Sequence, residues 1–205
     1  MEAKELQILW EDDALIFVLK PAGVSSQSPG LPETVSAYLS GAEVFVLHRL
    51  DREVAGVIVY GKAKEAAAAV SRQIAEGQME KVYLARVTGF PPEEGRLTDL
   101  LYHDKNRNKT FVVKRPRKGV REAALTYEVL RREAEGSLLR IRLETGRTHQ
   151  IRVQFSSRGY PLLGDPKYGG PKGEMRLFSH RITLTHPKTG EPLTVTATPD
   201  WAKEE

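Results

Sequence analysis

An α+β fold with a mixed, mostly antiparallel sheet and flanking helices is what this sequence predicts, on three observations. Strand-type segments outnumber helical ones, and most are separated by short turns. Helical segments are inserted singly, which departs from the regular βαβ alternation that builds parallel sheets. Near the C-terminus, two strand-type stretches flank His186-Pro187-Lys188-Thr189-Gly190, a hairpin signal.

The elements follow in order. Ala14–Leu19 reads as a strand closed by Pro21-Ala22-Gly23, because the residue before a proline is pushed toward extended geometry. Ser25–Pro32, rich in Ser, Pro and Gly, reads as a surface loop. Thr34 is placed to cap a short helix over Val35–Leu39 that Gly41 ends. Gly56–Tyr60 is a buried strand. Ala63–Glu76 is Ala-rich without internal Gly or Pro, puts Val70 and Ile74 on one stripe, and meets Gly77 at the natural left-handed position, so it is a helix. Lys81–Val87 is the next strand, Pro91–Arg96 a turn, and a basic segment follows. Ala123–Leu130 and Leu138–Glu144 are strands; in the latter, Leu139, Ile141 and Leu143 alternate with Arg140 and Arg142, the pattern of a half-buried strand. Thr148 is placed to cap a helix over His149–Ser157 that ends at Gly159. Leu177–Thr185 and Leu193–Thr198 complete the sheet.

Bulk properties narrow the function classes. At 205 residues the chain is one large domain or two small ones, with a single domain expected, and is long enough to bury roughly 70% of the unfolded surface. At 40% apolar and 28% charged, the composition is that of a soluble globular protein and not of a disordered one. No apolar run approaches the roughly 18 residues that span a bilayer. The opening Met1–Asp13 has neither the basic start nor the apolar core of a signal peptide. Without cysteine there is no disulfide framework, thiolate chemistry or Cys-ligated zinc, and the expected compartment is the cytoplasm. The net charge of +4 is unevenly spread. Between His103 and Arg121 stand eight Lys or Arg residues, Lys114, Arg115, Arg117 and Lys118 among them, against Asp104 alone. Charge localised in this way attracts phosphates, although a solvated basic loop would look the same.

The densest chemistry is His48-Arg49-Leu50-Asp51-Arg52, one carboxylate between two guanidinium groups just ahead of the apolar run Val57–Tyr60. Opposite charges nearby hold an acid ionised well below neutrality, so Asp51 is suited to be a nucleophile, base or ligand and not a proton donor. Lys81-Val82-Tyr83 and the basic block Arg147–Arg152 follow, then Gly164-Asp165-Pro166-Lys167-Tyr168-Gly169. Four such motifs in this order, with the opening Ile8–Val24 and its Pro-Ala-Gly turn, resemble the RluA-type family of RNA pseudouridine synthases from about Ile8 to Pro199. The resemblance implies a twisted mixed sheet crossed by a central cleft. Many relatives carry an N-terminal S4 RNA-binding domain; so few residues precede Leu6–Trp10 here that none is expected.

The resemblance also implies the chemistry. Pseudouridine formation detaches uracil from C1′ of its ribose, turns the base and rejoins it through C5. The product is an isomer, so no cofactor, metal or redox group is expected. The reaction needs a carboxylate that attacks the sugar or the base, or assists C2′ deprotonation, and it needs the base out of its stack. Asp51 is the only acid in its segment and the candidate; the plainer reading is a surface ion-pair partner of Arg49 or Arg52. By resemblance, Arg152 pairs with Asp51 and Tyr83 is the active-site tyrosine, its ring for stacking and its hydroxyl for proton transfer. The plainer readings are an exposed helix arginine and a core tyrosine. By resemblance too, Arg49 fills the space left by the flipped base or grips a phosphate; Arg147, which opens the second basic block, is a further RNA-binding candidate. His48 and His149 read as structural, since no metal-ligand spacing surrounds them. Asp165 reads as a turn residue bonding backbone.

The expected partner is structured rRNA or tRNA, with no membrane contact and no need of more than a monomer. One departure stands out: relatives typically continue HRLDR with x-Thr-Ser-Gly, whereas this chain has Glu53-Val54-Ala55-Gly56. Hydroxyls that would steady the Asp51 loop are missing. A module that binds or folds RNA with weak or lost catalysis is the competing function, and a sequence-unspecific basic protein is a third.

Overall fold

In the computed structural model, which describes residues 6–203, the chain forms β1 (Ile8–Glu11), β2 (Leu15–Lys20), α1 (Leu31–Tyr38), β3 (Phe45–Val46), β4 (Ala55–Gly61), α2 (Lys64–Ala75), β5 (Glu80–Thr88), β6 (Glu94–Asp104), β7 (Lys109–Val113), β8 (Val120–Glu133), β9 (Gly136–Leu143), α3 (Gln150–Ser156), β10 (Leu177–Thr185) and β11 (Pro192–Thr196). These group into two compact units: one runs to Lys81 and resumes at Phe178, and the other is Val82–Leu177. The chain leaves the first unit within β5 and re-enters it at the start of β10.

In the first unit the strands lie in the order β1-β2-β4-β10, with β3 added to β4 and β11 to β10. Every pairing is antiparallel except β4 with β10. β2 and β4 are nearly continuous apolar runs because both their faces are covered. On one face α2 sets Ala66 and Val70 among Leu15, Phe17, Val57, Val59, Ile182 and Leu184. α2 begins and ends within a residue of the span read from the sequence, and Gly77 has the left-handed φ of +72° that closes it.

One edge of β4 is shared. β3 pairs with Tyr60 and Gly61, β10 pairs with Ala55 and Gly56, and side chains fill the interval. Ser179 Oγ donates to the Val57 carbonyl at 2.9 Å, and the Val59 N–H donates to His48 Nε2 at 3.2 Å. Gly56 lets β10 come close: its φ is +127°, and a Cβ there would lie 2.3 Å from the Ser179 carbonyl oxygen. Gly56→Ala is therefore expected to destabilise the fold by about 3 kcal/mol. Thermal denaturation should show the midpoint lower by roughly 6–12 °C; an unchanged midpoint would mean that β10 yields freely.

In the second unit β5, β9, β8, β6 and β7 follow one another in that order, with antiparallel ladders through β9-β8-β6-β7. α3 buries Ile151, Val153 and Phe155, the last edge-on to Tyr127 with ring centroids 5.2 Å apart. Val153 meets Leu101, Ala123 and Tyr168.

Three local expectations are corrected. α1 starts at Leu31, inside the segment read as loop, because Pro32 sits in the first turn, where a missing N–H costs nothing, and Glu33 accepts the Gly30 N–H at 2.7 Å. The basic segment is no simple loop: β6 and β7 pair from Leu100↔Val113 to Asp104↔Lys109 as a hairpin. Thr148 does not cap α3, whose first flanking residue is His149 in the left-handed conformation, φ 54°. Gln150 Oε1 instead reaches back to accept the Arg147 N–H at 3.0 Å and the Thr145 hydroxyl at 2.8 Å.

Candidate active site

Asp51 lies on the connection from β3 to β4, partly exposed, where β4 is about to meet β10. The connection is held from beneath by a residue the sequence reading passed over. Lys20, at the end of β2, is wholly buried, and its ammonium donates to the carbonyls of Pro21 (2.9 Å), Val24 (2.8 Å) and Arg52 (3.1 Å). All three of its N–H groups are thereby used. Burial pushes the Lys20 ammonium down to about 8, and the negative charges of Glu53 and Asp51 oppose that fall. The Pro21-Ala22-Gly23 turn is tied to the same loop, since the Gly23 N–H donates to the Arg52 carbonyl and Arg52 Nε to the Gly23 carbonyl, each at 2.8 Å. Ser26 supports the other side, its hydroxyl accepting from Leu50 N at 3.1 Å and donating to Leu50 O at 2.9 Å. These tethers hold the loop in a chain that lacks the Thr-Ser pair expected after the motif. Val54 in their place is buried, and its N–H donates to the Asp51 carbonyl at 3.1 Å.

Of the neighbouring cations, Arg49 is exposed and its Nη1 donates to Gln27 Oε1 at 3.3 Å. His48 is structural, as expected. Its Nε2 accepts from Val59, so its proton sits on Nδ1, and burial, aided by the Lys81 charge, lowers its pKa from 6.5 to about 3. Because the folded value is depressed, the unfolded chain binds one more proton between pH 6.5 and about 3, and stability falls as pH drops through that window. The expected slope is up to about 1.4 kcal/mol per pH unit. Urea melts from pH 7 to 4 should show it in the wild type and not in His48→Gln, whose amide oxygen accepts the same N–H without titrating. Equal slopes would show that His48 does not stay neutral.

In the second unit Tyr83 is buried in β5, among Val82, Leu84 and Ala85, which are buried too. Arg152 is no exposed helix arginine: it is 2% exposed on α3. Asp165 grips it with two teeth, Arg152 Nε donating to Oδ2 at 2.7 Å and Nη2 to Oδ1 at 2.9 Å. This corrects the reading of Asp165 as a carboxylate that bonds backbone. Tyr168 lies against the same guanidinium, its ring centroid 5.2 Å from Cζ. Asp165 and Tyr168 stood in one of the motifs that carry the resemblance, but locally they were a carboxylate and an aromatic inside a Gly-Pro turn, which also describes an ordinary turn. Lys20 gave a clearer one, a lysine extending an apolar strand into a proline.

Lys114, Arg115, Arg117 and Lys118 are exposed in the turn between β7 and β8, and none of them forms an ion pair with a described residue. Arg117 is nevertheless not loose, since its guanidinium stacks 4.6 Å from the Tyr102 ring centroid. Arg147 is exposed ahead of α3, with Nε donating to the Glu122 carbonyl at 2.9 Å.

Comparison with known proteins bears on this arrangement. Residues 14–157 match the family described as RNA pseudouridylate synthase. The ribosomal large subunit pseudouridine synthase D of Neisseria meningitidis serogroup B is 32% identical over 96% of this chain. The chain spans 59% of that relative's length. The dual-specificity RNA pseudouridine synthase RluA of Yersinia pestis is 33% identical, over 91% of this chain and 95% of the relative. Among solved structures, human RNA pseudouridylate synthase domain containing 1 shares the fold, with a TM-score of 0.81, 23% identity, and coverage of 98% of this chain and 86% of that one.

Proposed function

Because this chain belongs to the RNA pseudouridylate synthase family, we propose that it isomerises particular uridines to pseudouridine in structured rRNA or tRNA, with Asp51 as the catalytic carboxylate. In that reaction the N1–C1′ bond breaks, the C5–C1′ bond forms, and the proton lost from C5 is balanced by one gained at N1. The atoms balance without a cofactor. What the chain must supply is a positioned carboxylate, a held base and a grip on the backbone. The observation that carries the reading is the Asp51 loop itself, a partly exposed carboxylate on a segment tied down by Lys20, Ser26 and Arg52. An ordinary surface aspartate has no need of a buried ammonium beneath its loop.

Within this reading Arg152 and Tyr83 are the further catalytic residues, Arg152 through a buried guanidinium held in one orientation and Tyr83 by stacking on the uracil or moving a proton. Arg49, Arg147 and the cluster Lys114, Arg115, Arg117 and Lys118 hold phosphates. In this reading the chain is a single catalytic domain, a monomer working in the cytoplasm. No helix among the described residues is long and apolar enough to cross a membrane. The rival, an RNA-binding module without chemistry, has no use for a carboxylate so held. Mapping pseudouridines across total RNA with and without the protein tests the reading: a site lost with the protein supports it and names the substrate, whereas an unchanged map rejects it.

The basic cluster has its own test. RNA affinity should fall steeply with salt, and neutralising Lys114, Arg115, Arg117 and Lys118 together should flatten that dependence by roughly 0.7–0.9 in log–log slope for each phosphate no longer gripped. Stability should drop only by about 0.5–1 kcal/mol, as the Arg117–Tyr102 stack disappears. An unchanged salt slope would move the RNA-binding surface toward Arg49, Arg147 and α3.

A further inference from the structure

The second unit surrounds one guanidinium with more order than stability requires. A buried ion pair holds a fold together no better than a well-packed apolar pair, but it does fix an orientation. Arg152 is fixed twice over. The Asp165 fork takes its Nε–Nη2 edge, with both side chains almost fully buried, and the Tyr168 ring supports its face. An edge and a face together define the plane of a guanidinium.

The supports are themselves held. Tyr168 Oη accepts the Thr110 N–H at 2.8 Å and lies 2.8 Å from His149 Nδ1. The Tyr168 carbonyl takes the Ser156 hydroxyl of α3 at 2.5 Å, tying the turn to the helix that carries Arg152. The Asp165 carbonyl accepts the N–H groups of Tyr168 (3.1 Å) and Gly170 (2.9 Å). Cβ atoms at Gly164 and Gly170 would each lie 2.0 Å from a carbonyl oxygen, of Glu174 and Leu162 respectively, so the backbone packs too closely here for any side chain at either position. His149 keeps a left-handed φ of 54° that non-glycine residues seldom adopt and lies edge-on to Tyr168. Strain of this kind persists where the surroundings over-determine a position.

We propose that Asp165 and Tyr168 are positioning residues for the isomerisation, acting only through Arg152, whose guanidinium plane they set. The inference rests on the function proposed above. Single-turnover tritium release, with enzyme in excess over [5-3H]uridine-labelled RNA from cells lacking the protein, gives the rate, and filter binding of the same RNA gives the affinity. Asp165→Asn is expected to slow release at least 100-fold with affinity within threefold of wild type. In an Arg152→Lys background the same change should alter the rate less than threefold, because an ammonium has no plane to aim. A purely structural role predicts equal losses in both backgrounds, tracking the folded fraction, and that result overturns the proposal, as does a folded Asp165→Asn within threefold of the wild-type rate. If Asp165→Asn does not fold, Tyr168→Phe decides, since it keeps the ring and removes the hydroxyl anchor. A roughly tenfold slower release confined to the Arg152 background supports the proposal, and an unchanged rate overturns it. Full activity in Asp51→Asn would reject the proposed function itself; an inactive Asp51→Asn beside a normal Asp165→Asn would reject this inference alone.

Discussion

Asp51→Asn is expected to abolish isomerisation, by about 10⁴-fold or more, while RNA affinity stays within a few fold of wild type. The amide keeps the shape and hydrogen-bonding reach of the carboxylate but can neither attack carbon nor take a proton. The change should leave the loop in place. Its tethers run through the Arg52 carbonyl, the Leu50 backbone and the Asp51 carbonyl, none of which the substitution alters. The predicted signature is therefore a fully folded protein with a nearly unchanged melting temperature, normal binding and no tritium release. Turnover near the wild-type rate would sink the assignment of the carboxylate, and a parallel loss of binding and folding would mean that Asp51 is a structural residue.

Arg152→Met should have the largest effect on stability. It strands the Asp165 carboxylate, which has 0% side-chain exposure, without the guanidinium that satisfies both of its oxygens. Breaking a buried pair from one side destabilises by about 3–5 kcal/mol. For a chain of this size the melting midpoint should fall by roughly 6–20 °C. Removing both charges, in Arg152→Met with Asp165→Leu, should recover most of that loss, because no uncompensated charge remains. Activity should not return with stability. A double variant as unstable as the single one would show that turn geometry, and not the ion pair, sets the stability here.

The sheet was legible where the physics is local. The Ala-rich helix, the apolar run of β4, and the β10–β11 hairpin all follow from side-chain periodicity and turn chemistry within a short window. The β6–β7 hairpin was not legible, because Lys105, Arg107, Lys114, Arg115, Arg117 and Lys118 crowd the turns on either side of the short β7, so the composition of the segment resembles a solvated loop. The start of α1 was hidden by a proline that reads as a breaker unless its place in the first turn is known. At the site, Asp51 stood out through the charges beside it in sequence. Lys20 and Asp165 did not, since each acts on partners distant along the chain: Lys20 reaches Arg52 and Asp165 reaches Arg152. A buried charge declares itself only when the residue that neutralises or solvates it is known, and that is a property of the fold.

The division of the chain sets an order of events at the ribosome. β4, buried along nearly its whole length, receives its parallel neighbour β10 only after the whole of Val82–Leu177 has been made. At about 5–20 residues per second, synthesis of that stretch takes on the order of ten seconds. During this interval the second unit has all its own residues available first, while Ala55–Val57 waits with an unpaired edge, the kind of surface on which nascent chains aggregate. His48 is already synthesised by then and can occupy the Val59 N–H, whereas the Val57 carbonyl must wait for Ser179. A histidine that looks like mere core filling would thus also serve as a placeholder on a strand that cannot yet be completed.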